Sequence, residues 1–234
     1  VINRPGHDYT RRLMAAVRPP PAAGQGDELS GEHQRDVPAL EVKDVSAGYG
    51  KWSDGSPVLL VLRDVNMTIE RGHTVGVIGE SGCGKSTLAR VMSGLLPASQ
   101  GDVLLDGESL RPSLRNRSRE QLQKVQFVFQ MADTALNPRH SIDRILGRPL
   151  EFYLGLKGAE KRKRIGELLH MVELPQEFAG RYPEELSGGQ KQRVNLARAL
   201  AASPEVLLCD EVISALDSIV GANVIELLKR LRKK

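Results

Sequence analysis

The fold follows from one stretch of sequence, Gly79-Glu80-Ser81-Gly82-Cys83-Gly84-Lys85-Ser86-Thr87, which fits the pattern G-x-x-x-x-G-K-[ST]. An apolar, β-type run at residues 74–78 leads into it, and a helix-compatible run at residues 87–92 leads out of it. In such a strand–loop–helix unit, backbone N–H groups surround an anion and the helix N-terminus adds partial positive charge. The stretch therefore predicts an α/β fold with a site for nucleotide phosphates.

Individual groups of this loop have predicted roles. Lys85 is placed to reach the β- and γ-phosphates, where its charge would also stabilise the transition state. The Ser86 hydroxyl is a candidate ligand for Mg²⁺, which prefers oxygen donors and keeps several waters. The remaining predicted contacts to the phosphates come from residues along the loop: Gly79, Ser81, Gly82, Cys83, Gly84 and Thr87.

A second candidate element is the apolar run at residues 206–209, which is followed by Asp210 and Glu211. A short apolar run of this kind fits a buried parallel strand, and ligands of parallel α/β sheets bind beyond the carboxyl ends of the strands. We therefore expect Asp210 to hold the metal through water. Glu211 is the candidate base for the attacking water.

A third motif, Leu186-Ser187-Gly188-Gly189-Gln190, precedes a run whose apolar positions 194, 196, 197, 200 and 201 suit a helix packed on a core. A serine and two glycines before a helix form a second N-terminus able to bind an anion. From these residues alone, a capped helix start is the simpler interpretation.

In combination, the motifs resemble the nucleotide-binding domain of ABC transporters over most of residues 38–234. The matching motifs, in the family's order, are Tyr49 (the aromatic that stacks on adenine), residues 79–87 (Walker A), Gln130 (the Q-loop), residues 186–190 (the signature loop), residues 206–211 (Walker B) and residues 214–217 (the D-loop). The resemblance implies a P-loop NTPase (ABC ATPase) core with an antiparallel β layer, and a helical subdomain at about residues 131–186.

The same resemblance implies ATP and Mg²⁺ as cofactors. It makes Gln130 a catalytic residue and a metal ligand beside Ser86 and Asp210. It also implies that two such domains close on each other, so that the signature loop of each contacts the nucleotide held by the other. The residues that would make this contact are Ser187, Gly188, Gly189 and Gln190.

Two further stretches, Ala135-Leu136-Asn137-Pro138-Arg139 and residues 178–186, resemble the ATPases of dipeptide, oligopeptide and nickel importers. Residues 131–133 replace the usual Asp-Pro opening of the first stretch, and Ile213 stands where that branch usually has threonine. The resemblance implies an ATP-hydrolysing subunit that powers import of peptides or similar small solutes. Its partners would be a second ABC ATPase domain, transmembrane permease subunits and, indirectly, a solute-binding protein.

Two other functions stay open at this point. One is a non-transport ABC ATPase that acts on nucleic acid or ribosomes, although the chain shows no zinc insertion, long coiled coil or large basic arm. The other is a nucleotide-binding regulator that does not hydrolyse ATP, against which the intact Lys85, Ser86, Asp210 and Glu211 argue.

Composition agrees with a cytoplasmic protein attached to the membrane through partners. With 234 residues, 40% of them hydrophobic, the chain can form one domain with a substantial core. Its net charge of +4 is spread along the chain, and the basic run at residues 161–164 indicates a solvated helix face, so no nucleic-acid partner is expected. No apolar stretch approaches the ~18 residues of a membrane-spanning helix. Two cysteines, Cys83 and Cys209, fit a reducing compartment at the cytoplasmic face of the inner or plasma membrane.

The two ends of the chain carry separate expectations. Residues 1–36 are polar and interrupted by proline and glycine, which predicts a linker. Within them, residues 7–17 resemble the tail of another ATPase of the same branch. Residues 37–234 form the predicted ABC domain, with Tyr49 in an antiparallel β layer at residues 37–71. The family resemblance implies a further strand and a switch histidine after the D-loop, but no histidine follows Asp217. We therefore expect the domain to be incomplete at its C-terminus, with an open sheet edge and weak or absent hydrolysis.

Overall fold

The structure is a computed structural model that describes residues 37–53 and 56–210. Several of the predictions fall outside these residues: the linker or tail at residues 1–36, the candidate base Glu211 and the D-loop at residues 214–217.

The chain begins with the predicted antiparallel layer. β1 pairs with β2 on one side and with β3 on the other, and Leu40 faces both Ile69 and Leu105. Leu40 and Val42 are buried while the intervening side chains are more exposed, as expected for a sheet with one face on the core. The strands, in the spatial order β2-β1-β3-β4, are β1 (Leu40–Ser53), β2 (Ser56–Ile69), β3 (Gln100–Leu105) and β4 (Glu108–Ser109).

A parallel pair of strands forms the second sheet. β5 (Val125–Val128) pairs with β6 (Val206–Cys209) from the Val125–Val206 pair to the Val128–Cys209 pair. β6 is the strand predicted from its apolar composition, and this prediction is confirmed. Helix α1 (Lys85–Ser93) lies between the two sheets and buries Leu88 and Val91 in the core that the sheets share.

Residues 74–78 differ from the sequence prediction. They form no strand, and Val75, Val77 and Ile78 are 44%, 46% and 93% exposed. A β-strand needs neighbours for its backbone N–H and C=O groups. Within the part of the chain that the structure describes, no strand pairs with this segment. The glycine-rich loop at residues 79–84 is therefore joined to regular secondary structure directly only at its C-terminal end, where α1 begins.

The second half of the described chain is mainly helical and has its own core. Its central stripe is at most 4% exposed and has the spacing of an amphipathic helix packed on a core: Ile165, Leu168, Leu169 and Val172. No helix in the described ranges has both the length and the apolar character needed to cross a membrane. The helices are α2 (Arg119–Lys124), α3 (Ala132–Ala135), α4 (Ile142–Leu154), α5 (Gly158–Met171) and α6 (Gly188–Leu200).

Candidate functional site

The glycine-rich loop turns sharply into α1. Gly82 and Gly84 have φ angles of 83° and 102°, a region that glycine enters without strain. A Cβ atom on Gly84 would lie 2.9 Å from Leu62 Cδ2 of strand β2, so a larger residue does not fit there. The N–H of Leu88 donates to the carbonyl of Gly84 at 2.8 Å and closes the first turn of the helix. The predicted transition from loop to helix is therefore present.

The ammonium group of Lys85 lies inside this loop. Its Nζ donates to the carbonyl oxygens of Gly79 at 2.9 Å and Glu80 at 2.7 Å. It also lies 3.8 Å from Cys83 Sγ, and Cys83 itself is exposed. A lysine ammonium group held at a glycine-rich loop before a helix N-terminus is placed to bind an anion that enters the loop.

The loop and the end of β6 meet at Ser86 and Asp210. The Ser86 hydroxyl donates to Asp210 Oδ1 at 2.8 Å, and Asp210 is only 9% exposed. No group of three or more His, Cys, Asp or Glu side chains in the described ranges could hold a metal by itself. A hydroxyl and one carboxylate beside a phosphate site nevertheless fit Mg²⁺, which takes one or two protein oxygens together with phosphate oxygens and water.

The segment that contains Gln130 contacts Asp210 through the backbone. The N–H of Asp210 donates to the carbonyl of Val128 at 3.2 Å, and Gln130 follows Val128 by two residues. Gln130 is exposed at the end of β5. The fold thus brings the region of Gln130 beside Asp210, while Glu211, the next residue after Asp210, is outside the described ranges.

Tyr49 lies against the first turns of α1. Its hydroxyl is 3.3 Å from Thr87 Oγ1, and Arg90 donates to it from Nη1 at 3.3 Å. The residue as a whole is 36% exposed. The sequence patterns did not predict the role of Arg90 in holding this hydroxyl.

The signature loop caps α6. Ser187 Oγ accepts from the N–H of Gln190 at 3.4 Å, and Gln190 Oε1 accepts from the N–H of Ser187 at 2.9 Å, which is a reciprocal capping box. Ser187 and Gly188 are exposed. In the described ranges, no hydrogen bond or ion pair joins residues 187–190 to residues 79–84. The capped helix start is therefore present, and the loop is open to a partner.

Two buried polar groups were not predicted. Arg117 donates to the carbonyl oxygens of Met92 and Arg111, each at 3.0 Å, and so binds the last turn of α1. Its burial lowers its pKa to about 10. Asn195 of α6 is fully buried and contacts the segment that contains Gln130. Neither group had a distinct signal in the sequence, since the helix that contains Asn195 has many polar residues.

Comparison with known proteins decides the family. The sequence pattern of the family described as ABC transporter matches residues 62–214, which is more than half of the chain. The chain belongs to the ABC transporter family. This membership agrees with the observed architecture of P-loop, antiparallel β layer and helical region, and it confirms the predicted fold class.

Two curated relatives are import ATP-binding proteins by name. A putative peptide import ATP-binding protein of Brucella abortus is 42% identical over 192 residues, covering 82% of this chain and 57% of the relative. The nickel import ATP-binding protein NikE of Escherichia coli O157:H7 is 43% identical over 197 residues, covering 83% of this chain and 74% of NikE. The chain thus spans little more than half the length of the Brucella protein.

Among solved structures, the chain is similar to the ATP-binding cassette MJ0796, determined as a dimer in a post-hydrolysis state bound to ADP and Pi. The TM-score is 0.71 at 35% sequence identity, and the match covers 82% of each chain. The importer branch predicted from residues 135–139 and 178–186 is therefore confirmed by the relatives, and the ABC ATPase fold by the cassette.

Proposed function

We propose that the chain is the ATP-binding and ATP-hydrolysing part of an importer for peptides or a similar small solute. One observation carries the proposal: Lys85, Ser86 and Asp210 converge at a glycine loop, although Asp210 is 124 positions from Ser86. The likeness to peptide and nickel import ATP-binding proteins supports the choice of importer.

In this proposal the residues of the loop bind the triphosphate. Lys85 moves its donors from the carbonyls of Gly79 and Glu80 to the β- and γ-phosphates, and the backbone N–H groups of the loop surround them. Tyr49, presented beside Thr87, stacks on the adenine. These contacts orient the γ-phosphate for attack by water without forming a covalent bond to the protein.

The metal ligands and the base complete the proposed chemistry. Ser86, Asp210 and Gln130 would hold Mg²⁺, with Asp210 acting through water. When bound, Mg²⁺ neutralises charge on the β- and γ-phosphates. Glu211, next to Asp210 in the sequence, takes a proton from the attacking water.

A second ABC domain is the first proposed partner. The signature loop is exposed, and its helix N-terminus is suited to a phosphate that its own domain does not supply. Ser187, Gly188, Gly189 and Gln190 would contact the nucleotide held by the opposing domain. The dimeric state of the cassette MJ0796 supports this arrangement.

Permease subunits are the second proposed partner, and their docking site is a groove lined by Phe129, the residue before Gln130. The groove has a volume of about 500 Å³ and lies between β5 and α4. Its walls include Phe127, Phe129, Arg148 and Phe152, and the guanidinium of Arg119 lies 5.2 Å from the centre of the Phe152 ring. An aromatic groove with basic residues at its rim suits a short amphipathic segment that carries a carboxylate. Docked there, the ATPase would sit at the cytoplasmic face of the membrane.

The proposal is tested by phosphate release from the full-length gene product that contains residues 1–234. Lys85→Ala should remove ATP binding, because the triphosphate loses its charge partner. Glu211→Gln should keep binding and lose turnover, because the change is nearly isosteric but removes the base. Lys163→Ala, on the exposed face of α5, is the control. Unchanged ATP affinity in Lys85→Ala would contradict the proposed site.

A further inference from the structure

Helix α6 carries a polar stripe on a face that is turned into the protein. The stripe consists of Lys191, Gln192, Asn195 and Arg198, whose spacing places them on one side of a helix. Gln192 is 2% exposed and Asn195 is fully buried. Buried amides are costly unless they are hydrogen-bonded, and the neighbouring core positions Val194 and Leu196 are apolar. Core packing alone does not explain why position 195 is polar.

The two buried amides share one acceptor. Asn195 Nδ2 donates to the carbonyl oxygen of Phe129 at 3.0 Å, and Gln192 Nε2 lies 3.5 Å from the same oxygen. Phe129 directly precedes Gln130. The stripe therefore binds the backbone one residue before the predicted metal ligand.

The charged members of the stripe extend the contact along the same segment. Lys191 Nζ pairs with Asp133 at 2.5 Å, and Arg198 donates to the carbonyl of Ala135. Arg198 also donates to Asn195 Oδ1 at 2.9 Å, and its guanidinium lies 5.9 Å from the centre of the Phe129 ring. All four side chains of the stripe thus bind residues 129–135.

The Asn195 amide acts as donor and acceptor, which neither aspartate nor an aliphatic residue can do at this position. Its amide donates to Phe129 and accepts from Arg198 at the same time. Aspartate has the same shape and can accept from Arg198, but it cannot donate to a carbonyl. An aliphatic residue can do neither.

We propose that the polar stripe positions Gln130, by joining helix α6 and residues 129–135 into one unit that moves together. α6 begins at the signature loop, and the carbonyl of Val128, just before Phe129, accepts from Asp210. The stripe then connects the surface that would meet the opposing domain to the residue that would meet the metal. Asn195 is a positioning residue in this scheme, and the inference rests on the proposed function.

The test compares Asn195→Asp with the parent in the full-length gene product. Asn137→Asp is the matched control, since Asn137 is exposed and its side chain only accepts, from the N–H of Arg139 at 3.0 Å. We expect Asn195→Asp to keep the affinity for a fluorescent ATP analogue in EDTA within about twofold. Turnover should fall about tenfold and half-maximal turnover should need several-fold more Mg²⁺, as is typical when support of a metal ligand is lost. Asn195→Ala should behave in the same way, and Asn137→Asp like the parent.

A second measurement does not depend on turnover. Amide hydrogen exchange should accelerate at residues 129–135 in Asn195→Asp and stay unchanged in β1 and β2. The inference is overturned if exchange and Mg²⁺ dependence both match the parent, or if affinity in EDTA falls in parallel with turnover. If the parent protein binds no ATP, the proposed function is wrong. In that case, the hydrogen exchange at residues 129–135 in Asn195→Asp still tests whether Asn195 holds this segment.

Discussion

The Ser86 hydroxyl donates to Asp210 Oδ1 at 2.8 Å and joins the first turn of α1 to the end of β6. Asp210 is in turn bound through its N–H to Val128 at the end of β5. Asp210 therefore joins the first turn of α1 to the end of β5, two residues before Gln130.

The first prediction concerns this contact. Ser86→Ala should leave ATP affinity in EDTA nearly unchanged and remove most of the gain in affinity that Mg²⁺ brings, because a direct oxygen ligand is lost. The measurement is titration of a fluorescent ATP analogue with and without Mg²⁺. Ser93→Ala, in the last turn of the same helix, is the control. A full Mg²⁺ effect in Ser86→Ala would exclude Ser86 as a ligand.

The second prediction separates the ring of Tyr49 from its hydroxyl. Tyr49→Ala should weaken ATP binding by about 1–3 kcal/mol, the range for stacking of a base on an aromatic ring. Tyr49→Phe should lose less, since it keeps the ring and loses only the contacts with Thr87 and Arg90. Neither change should affect binding of inorganic tripolyphosphate, which has no base. Equal losses for ATP and tripolyphosphate would show that Tyr49 acts on the loop and not on adenine.

The third prediction concerns the two free cysteines. Cys83 is exposed in the phosphate loop, whereas desolvation of the Cys209 thiol raises its pKa to about 11, although part of that residue is exposed. Only the thiolate reacts with maleimides, so Cys209 should stay slow until the pH approaches that value. At pH 7.5, labelling followed by mass spectrometry should find Cys83 first, and ATP should protect it. Labelling of Cys83→Ser at the parental rate would contradict the prediction.

The fourth prediction concerns a cluster of charges around Lys124. Lys124 Nζ lies 3.3 Å from Asp106 Oδ2 and 3.3 Å from Glu205 Oε1, and 28% of the Lys124 side chain is exposed. Desolvation lowers the pKa of Lys124, but hydrogen bonds and attraction to Glu205 and Asp106 outweigh it and raise the pKa above its ordinary value. Lys124→Met should lower the free energy of unfolding by about 1 kcal/mol, and less at high salt.

The sign of the pKa shift sets the pH range of this effect. Because the folded pKa is raised, the stabilisation by Lys124 is complete at neutral pH and is lost as the pH rises from about 10.5 through the folded pKa. Chemical denaturation of the parent and of Lys124→Met at pH 7.5 and above pH 11 measures this. The difference between the two proteins should narrow at the higher pH. A difference that stays constant with pH would mean that Lys124 acts through packing and not through charge. Lys163→Met is the control.

The fifth prediction concerns the proposed docking groove. Arg148→Glu and Phe152→Ala, both on exposed positions of α4, should weaken co-purification with permease subunits and leave ATP affinity unchanged. Arg162→Glu, on the exposed face of α5 and outside the groove, serves as a matched charge reversal. If all three variants retain the permeases equally, the groove is not the docking site.

Local sequence was sufficient wherever short-range chemistry decides structure. The glycine loop and the capped helix start at Ser187 were predicted because each depends on neighbours within a few residues. The strand at residues 206–209 was predicted because an apolar run of that length needs burial on both faces. The boundaries of the predicted domain, and the roles of Glu211 and of the signature loop, stay predictions.

Tertiary structure alone decided what depends on partners far away in the chain. Residues 74–78 have strand-like composition but form no strand among the described residues, because backbone pairing requires a neighbour that composition does not specify. In the sequence, Asn195 is one of several polar positions of a helix. Only the structure places the carbonyl of Phe129, 66 positions away, within hydrogen-bond distance of it. The hydrogen bond between Ser86 and Asp210 likewise joins residues that are far apart in the chain. The sequence by itself indicated which residues are candidates for phosphate and metal chemistry, and only long-range packing determined which of them touch.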